Sequence, residues 1–141
     1  ELKKREKHQT TAADSVDSVA RSLPGLWRAE KIQKKAAKVG FDWPDVSGAL
    51  EKLREEAGEL EEAVREDTNV AEELGDLLFA AVNVARFVKV DPEDALSVAC
   101  DKFARRFRQV EASAAAQGKT LDEMTLAEMD RLWDEAKKQE A

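Results

Sequence analysis

Apolar residues recur along this chain at alternating steps of three and four, the spacing of one helix face, and nowhere alternate one by one as in a strand. Leu26, Ala29, Ile32, Ala36 and Val39 predict a first helix from Pro24 to about Val39. Ser22 is its expected cap, Pro24 suits its first turn and Gly40 supplies the stop. Val46, Leu50, Leu53, Ala57, Leu60 and Val64 predict a second helix, from about Pro44 to Arg65, with that row as its core stripe. After the turn Glu66-Asp67-Thr68-Asn69, Asn69 and Glu72 read as a capping box opening a third helix. That helix carries Val70, Leu74, Leu77, Ala81, Val84 or Ala85, and Val88. Asp91-Pro92 opens a fourth, with Leu96, Ala99, Phe103, Phe107, Val110 and Ala114 on one face and an end near Gly118. Thr125 and Glu128 form another capping box, before a last helix with Leu126, Met129, Trp133 and Ala136.

The predicted fold is therefore all-α. Short connections favour antiparallel neighbours in a helical bundle of the four-helix kind. The third and fourth helices carry further apolar residues, including Leu78, Phe79, Val82, Phe87 and Val98. A monomeric bundle of this size cannot easily bury them all, which points to a homodimer. Residues 1–21 are polar and mixed in charge, and read as a linker or frayed helix outside the core. Residues 22–141 then form one domain. The chain begins at Glu1 rather than Met, so it reads as a processed product or a piece of something longer.

Composition narrows the chemistry. With 43% hydrophobic and 38% charged residues in 141, the chain has enough apolar material for one core. A net charge of −7 argues against a generic nucleic-acid binder. One cysteine, Cys100, and one histidine, His8, exclude an internal disulfide and a His-based metal site, and with them zinc-finger, haem and iron–sulfur readings. No apolar run approaches the about 20 residues of a membrane span, and no signal peptide is visible. A lone thiol fits a reduced, cytoplasmic setting.

The acidic residues carry the sharpest signal. Between Glu55 and Glu66 there are six glutamates and one arginine, with like charges four apart on a helix surface. A solvated face is one reading. Glu56 and Glu59, three apart, share a helix face, and Glu73 and Asp76 repeat that spacing on the next helix. Across a short loop the two pairs can face each other at similar height. Four such carboxylates need cations, and all-oxygen donors select a hard ion, Mg²⁺ ahead of Ca²⁺, with Mn²⁺ able to substitute. Asn83, two turns from Asp76 among apolar neighbours, is either a structural hydrogen bond or a contact for a polar ligand. Phe41 and Trp43 are either a plug over the helix ends or a flat surface beside a ligand. On the fourth helix Lys102, Arg105, Arg106 and Arg108 form a basic cluster. Arg105 can pair with Asp101, or Lys102 and Arg105 can clamp phosphate oxygens.

E-E-x-x-E at Glu55, Glu56 and Glu59, followed by E-E-x-x-D at Glu72, Glu73 and Asp76, resembles the signature of the all-α nucleoside triphosphate pyrophosphohydrolases, in particular the MazG branch. K-V-G-F-D-W from Lys38, E-L-G-D-L-L-F-A-A-V-N-V-A-R from Glu73 and K-F-A-R-R-F-R-Q-V-E from Lys102 extend the resemblance over about residues 23–138. It implies Mg²⁺-dependent hydrolysis of a nucleoside triphosphate to the monophosphate and pyrophosphate. Glu56, Glu59, Glu73 and Asp76 would bind metal, and Asn83, Lys102, Arg105 and Arg106 match family positions for substrate. It further implies a homodimer, and a likeness to the C-terminal copy in two-domain MazG proteins. Asp101 departs from the asparagine the family often has there. The rival from another class is a non-catalytic helical module whose acidic face binds a basic partner. A di-iron carboxylate bundle is disfavoured, because it normally needs E-x-x-H pairs.

Overall fold

A computed structural model describes residues 11–140, which are helical with no strand among them. The basic start, E-L-K-K-R-E-K-H with His8, lies outside the described residues. The chain divides into two compact units, the first reaching Asp94 and the second starting at Ala95.

In the first unit, α1 (Ala12–Asp17) is closed by a capping box between Thr11 and Asp14. It rests on α2, and Val19 beyond it is buried, so part of the stretch read as linker packs. The helix α2 (Gly25–Ala37) starts later than its pattern suggests. Pro24 is its N-cap, no side chain caps it, and Ser22 stands too early to do so. Gly40, at φ 88°, provides the left-handed turn that ends it. Asp45 caps α3 (Val46–Glu66), accepting from the Ser47 amide at 2.9 Å. Three residues separate α3 from α4 (Val70–Phe87), and these two helices make the most extensive contact in the chain. The capping box expected of Asn69 and Glu72 does not form. Asn69 sits at φ 58°, in the left-handed region, where its side chain makes no cap bond; a capping side chain needs extended backbone. Glu72 is thus released from a structural role.

The seam between α3 and α4 is only partly the one the apolar stripes predict: Val46, Leu50, Leu53, Leu60, Leu77 and Val84 are half-buried, but the most buried row is a different one. On α3 the buried positions are Ala49, Glu56 and Ala63, seven apart. On α4 buried Ala80 lies midway between half-buried Glu73 and Phe87, again seven apart. Seven residues are two helical turns, so each set forms a straight row facing the partner helix. Small alanines let the backbones approach, and each row carries one glutamate. The expected core residues Ala57, Val64, Val70, Leu74 and Ala81 are exposed instead. At the unit's end Asp91 caps α5 (Pro92–Ala116), accepting from the Glu93 and Asp94 amides. The same oxygen accepts from the Trp27 indole at 2.8 Å, tying α2 to this corner.

The second unit contains the rest of α5, a 3₁₀ turn at Leu121–Glu123 and α6 (Leu126–Glu140). The 3₁₀ turn, with its own Thr120–Glu123 capping box, is not legible in the apolar spacing. Val110, Ala114, Met124 and Leu132 form the core, with Leu121, Met129 and Trp133 against it. The expected box at the start of α6 is present: Glu128 donates its amide to Thr125 Oγ1, and Thr125 donates its amide to the Glu128 carboxylate. The Thr125 amide, the Lys119 ammonium and the Thr125 hydroxyl lower the Glu128 carboxyl from 4.5 to about 2. Thr125→Ala should lower stability by about 1 kcal/mol in denaturant unfolding. A lowered carboxyl stabilises the fold above its ordinary range. Its contribution should therefore fade as pH falls from 4.5 toward 2, and that acid-dependent part should shrink in the variant.

Candidate metal and nucleotide site

The heptad rows bring the acids together. Carboxylate oxygens of Glu56, Glu59 and Glu73 lie within 4.8 Å of one another, and so do those of Glu72, Glu73 and Asp76. Glu73 belongs to both groups. Three of the four residues selected by spacing thus converge in one group, and Asp76 joins through Glu73. Glu72 is the member that sequence reasoning set aside, because it was assigned to the capping box. The repeated E-E doublet was the signal for it.

The electrostatics of this cluster are unbalanced. Glu56 is only 5% exposed, and its Oε1 accepts from the Lys52 ammonium at 3.2 Å. Its Oε2 is buried without a hydrogen-bond partner among the described residues, as is Oε2 of Glu73. Burial pushes the Glu73 carboxyl above its usual range, and the Glu59, Asp76, Glu56 and Glu72 carboxylates push it further. Buried polar atoms are ordinarily paired, so two orphaned carboxylate oxygens among five acids form a site suited to a cation. The donors are all carboxylate oxygens, which fits a hard divalent ion held by Glu56, Glu59, Glu73 and the flanking Glu72 and Asp76.

A cleft of about 610 Å³ lies in the same unit, lined by Ile32, Ala36, Phe41, Trp43, Phe79 and Ala80, with Gln33, Asp42, Lys52, Asn83 and Arg86 as its polar groups. It brings together Trp43 and Asn83, the two residues that sequence offered as ligand contacts beyond the acids and the basic helix. Trp43 seats its indole on the first turn of α3. A Cβ on Gly48 would come within 2.9 Å of the ring, so glycine there permits the close approach. Also on the cleft wall, Asp42 and Arg86 form a two-pronged ion pair, which holds the Asp42 carboxyl below its usual range. Arg86 also donates to Asn83 Oδ1, from Nη2 at 2.6 Å and Nε at 3.2 Å. The structural bond expected of Asn83 therefore comes from its own helix, and it fixes the amide. Asp42, Arg86, Gln33 and Gly48 were not singled out from sequence.

Lys102, Arg105 and Arg106 stand in the second unit. The pairing weighed for Arg105 with Asp101 is absent. Arg105 and Arg106 both reach Glu140, at 3.6 and 3.0 Å, and Arg106 lies over the Trp133 ring. Lys102 makes no ion pair among the described residues.

Ala usually stabilises a helix interior by up to about 1 kcal/mol over Gly. Gly48→Ala should do the opposite, lowering the melting temperature as the new methyl displaces the indole. A stabilised variant would show that the Trp43 ring is not fixed against α3.

Relatives share this arrangement of sequence. The chain is 42% identical over 144 residues to the nucleoside triphosphate pyrophosphohydrolase of Escherichia coli K12, covering 99% of this chain and 55% of that protein. It is 44% identical over 115 residues to the nucleoside triphosphate pyrophosphohydrolase/pyrophosphatase MazG of Thermotoga maritima, covering 82% and 45%. It is 50% identical over 143 residues to YabN of Bacillus subtilis, covering 99% and 29%. The chain thus spans about half the length of the first two relatives and less of the third. Residues 45–111, which include the whole acid-bearing hairpin and its Asp45 cap, match the MazG nucleotide pyrophosphohydrolase domain.

Proposed function

We propose that this chain is a Mg²⁺-dependent nucleoside triphosphate pyrophosphohydrolase that cleaves its substrate at the α-phosphorus. The observation that carries the reading is the cluster around Glu73, with its orphaned carboxylate oxygens, on a hairpin that matches the MazG domain. A divalent ion held there supplies neutralisation of the triphosphate charge and a coordination site for water. Mn²⁺ can take its place, because the donors are the same hard oxygens.

The nucleoside enters the cleft against Trp43, and the Asn83 amide, held through its oxygen by Arg86, keeps its N–H donors for base or sugar. Glu59, the exposed member of its acid group, holds the attacking water and takes its proton. A P–O bond forms from water to the α-phosphorus as the bond to the β-bridging oxygen breaks, giving NMP and pyrophosphate. Lys102 and Arg105 stabilise charge on the departing pyrophosphate, and Arg106 adds to the phosphate contacts. The setting is the reduced cytoplasm, which the exposed, unpaired Cys100 tolerates.

The active form is a homodimer. Support comes from Val70, Leu74, Leu78 and Phe79 on α4, which remain exposed in a single chain. Light scattering at micromolar concentration should give twice the chain mass of 15.7 kDa, and the chain mass itself would contradict the dimer.

Incubation with each NTP and Mg²⁺, resolving NMP, NDP, pyrophosphate and phosphate, tests the reaction. Equal NMP and pyrophosphate, abolished by a chelator, are expected. NDP and phosphate would contradict α-attack, and no turnover at all would favour an acidic interaction module. Lys102→Ala should lower kcat/KM by about tenfold or more, on the order of 1.4 kcal/mol, and leave Mg²⁺ binding nearly unchanged.

A further inference from the structure

Lys52 belongs to two places at once. It lines the cleft with Trp43 and Asn83, and its ammonium lies 3.2 Å from Oε1 of buried Glu56. A second bond, also 3.2 Å, reaches Oε2 of Glu55. The acid cluster and the cleft therefore meet at this side chain. A nucleotide with its nucleoside in the cleft and its phosphates at the acids must pass it.

The charge balance at Glu56 is the key. One buried carboxylate is answered by a single ammonium, while its other oxygen has no partner. A divalent ion bound through Glu56 would stand beside that ammonium, and two cations on one carboxylate repel. Glu56 itself is fixed in the helix seam, so the flexible partner gives way. The lysine side chain is 41% exposed on a four-carbon stem, so it can swing. The nearest new anion is then the phosphate chain.

We propose that Lys52 is a stand-in cation: it holds Glu56 until the metal arrives, then moves to a phosphate oxygen of the substrate. The substrate half of this proposal rests on the pyrophosphohydrolase reading. The metal half rests on the geometry of Glu56 alone.

The two halves give opposite effects in one variant. Removing the competing ammonium should tighten metal, while removing a phosphate contact should slow turnover. Mg²⁺ is titrated by calorimetry, without nucleotide, into wild type, Lys52→Met, Lys52→Gln and Arg54→Met. Lys52→Gln keeps a donor against Glu56 and guards against misfolding of the methionine variant. Arg54, exposed on the same helix and in no ion pair among the described residues, controls for loss of a distant charge. Both Lys52 variants should bind Mg²⁺ tighter by about threefold or more, the scale of a partly exposed ion pair, and by more than Arg54→Met. Their kcat/KM for NTP should fall by about tenfold, the scale of one charge-assisted hydrogen bond. Unchanged or weaker Mg²⁺ binding overturns the proposal, as does tightening equal to that of Arg54→Met. Tighter metal with unchanged kcat/KM overturns the phosphate contact and leaves Lys52 a simple counter-ion. If wild type releases no pyrophosphate from any NTP, it is the pyrophosphohydrolase reading that fails, and the Mg²⁺ titrations still decide the place of Lys52 at Glu56.

Discussion

Two glutamates in a helix seam set the terms for the rest of this molecule. Glu56 on α3 and Glu73 on α4 occupy positions where a soluble helical hairpin ordinarily places leucine or valine. Each buries a carboxylate oxygen that nothing among the described residues satisfies. Such a seam is weak by itself, since like charges and desolvation both oppose it. It is tolerated because Ala49, Ala63 and Ala80 let the two backbones close above and below the acids. Stability is given up locally to hold the carboxylates in a fixed array, as binding sites for cations require.

That choice has a consequence for the apolar residues. With the seam given to small and acidic side chains, Val64, Val70, Leu74 and Leu78 turn outward. Part of the stripe that looks like a core is then surface on one chain. The acid cluster and the exposed apolar residues are two results of how these helices are turned. The aromatic turn follows a similar logic. Phe41 and Trp43 sit on a cleft wall, with Gly48 making room for the indole and the Asp42–Arg86 pair tying the aromatic turn to α4.

The helices were legible in the sequence because periodicity, proline, glycine and capping residues all act locally. Asp91 and the Thr125–Glu128 box hold the ends as read, while the Asp45 cap of α3 was not singled out from sequence. Which face is buried was legible only in part, since that reading equates apolar with buried and fails where Glu56 and Glu73 sit in the seam. The Asn69–Glu72 box failed for a local reason that the letters do not show, the left-handed backbone at Asn69. That Glu56, Glu59 and Glu73 come together, with Asp76 joined through Glu73, was legible from spacing, because three-residue steps on two helices joined by a short loop bring their faces to similar height. Lys52, Asp42 and Arg86 were not, because their roles come from partners 44 residues apart or from a second helix face. The placement of Lys102, Arg105 and Arg106 in the second unit was equally invisible to spacing, as was their link to Glu140.

A divalent ion bound at the Glu73 cluster would relieve the repulsion and desolvation that strain it. Thermal unfolding of wild type and Glu73→Gln, each with a chelator and with millimolar Mg²⁺, tests this directly. NaCl at matched ionic strength separates binding from screening. Without metal, Glu73→Gln should melt at or above wild type, because a desolvated, repelled charge has been removed. Mg²⁺ should raise the wild-type melting temperature well beyond the effect of NaCl, following RT ln(1 + [L]/Kd), and raise the variant much less. A metal-free variant that melts well below wild type, or equal responses of both proteins to Mg²⁺ and NaCl, would contradict it.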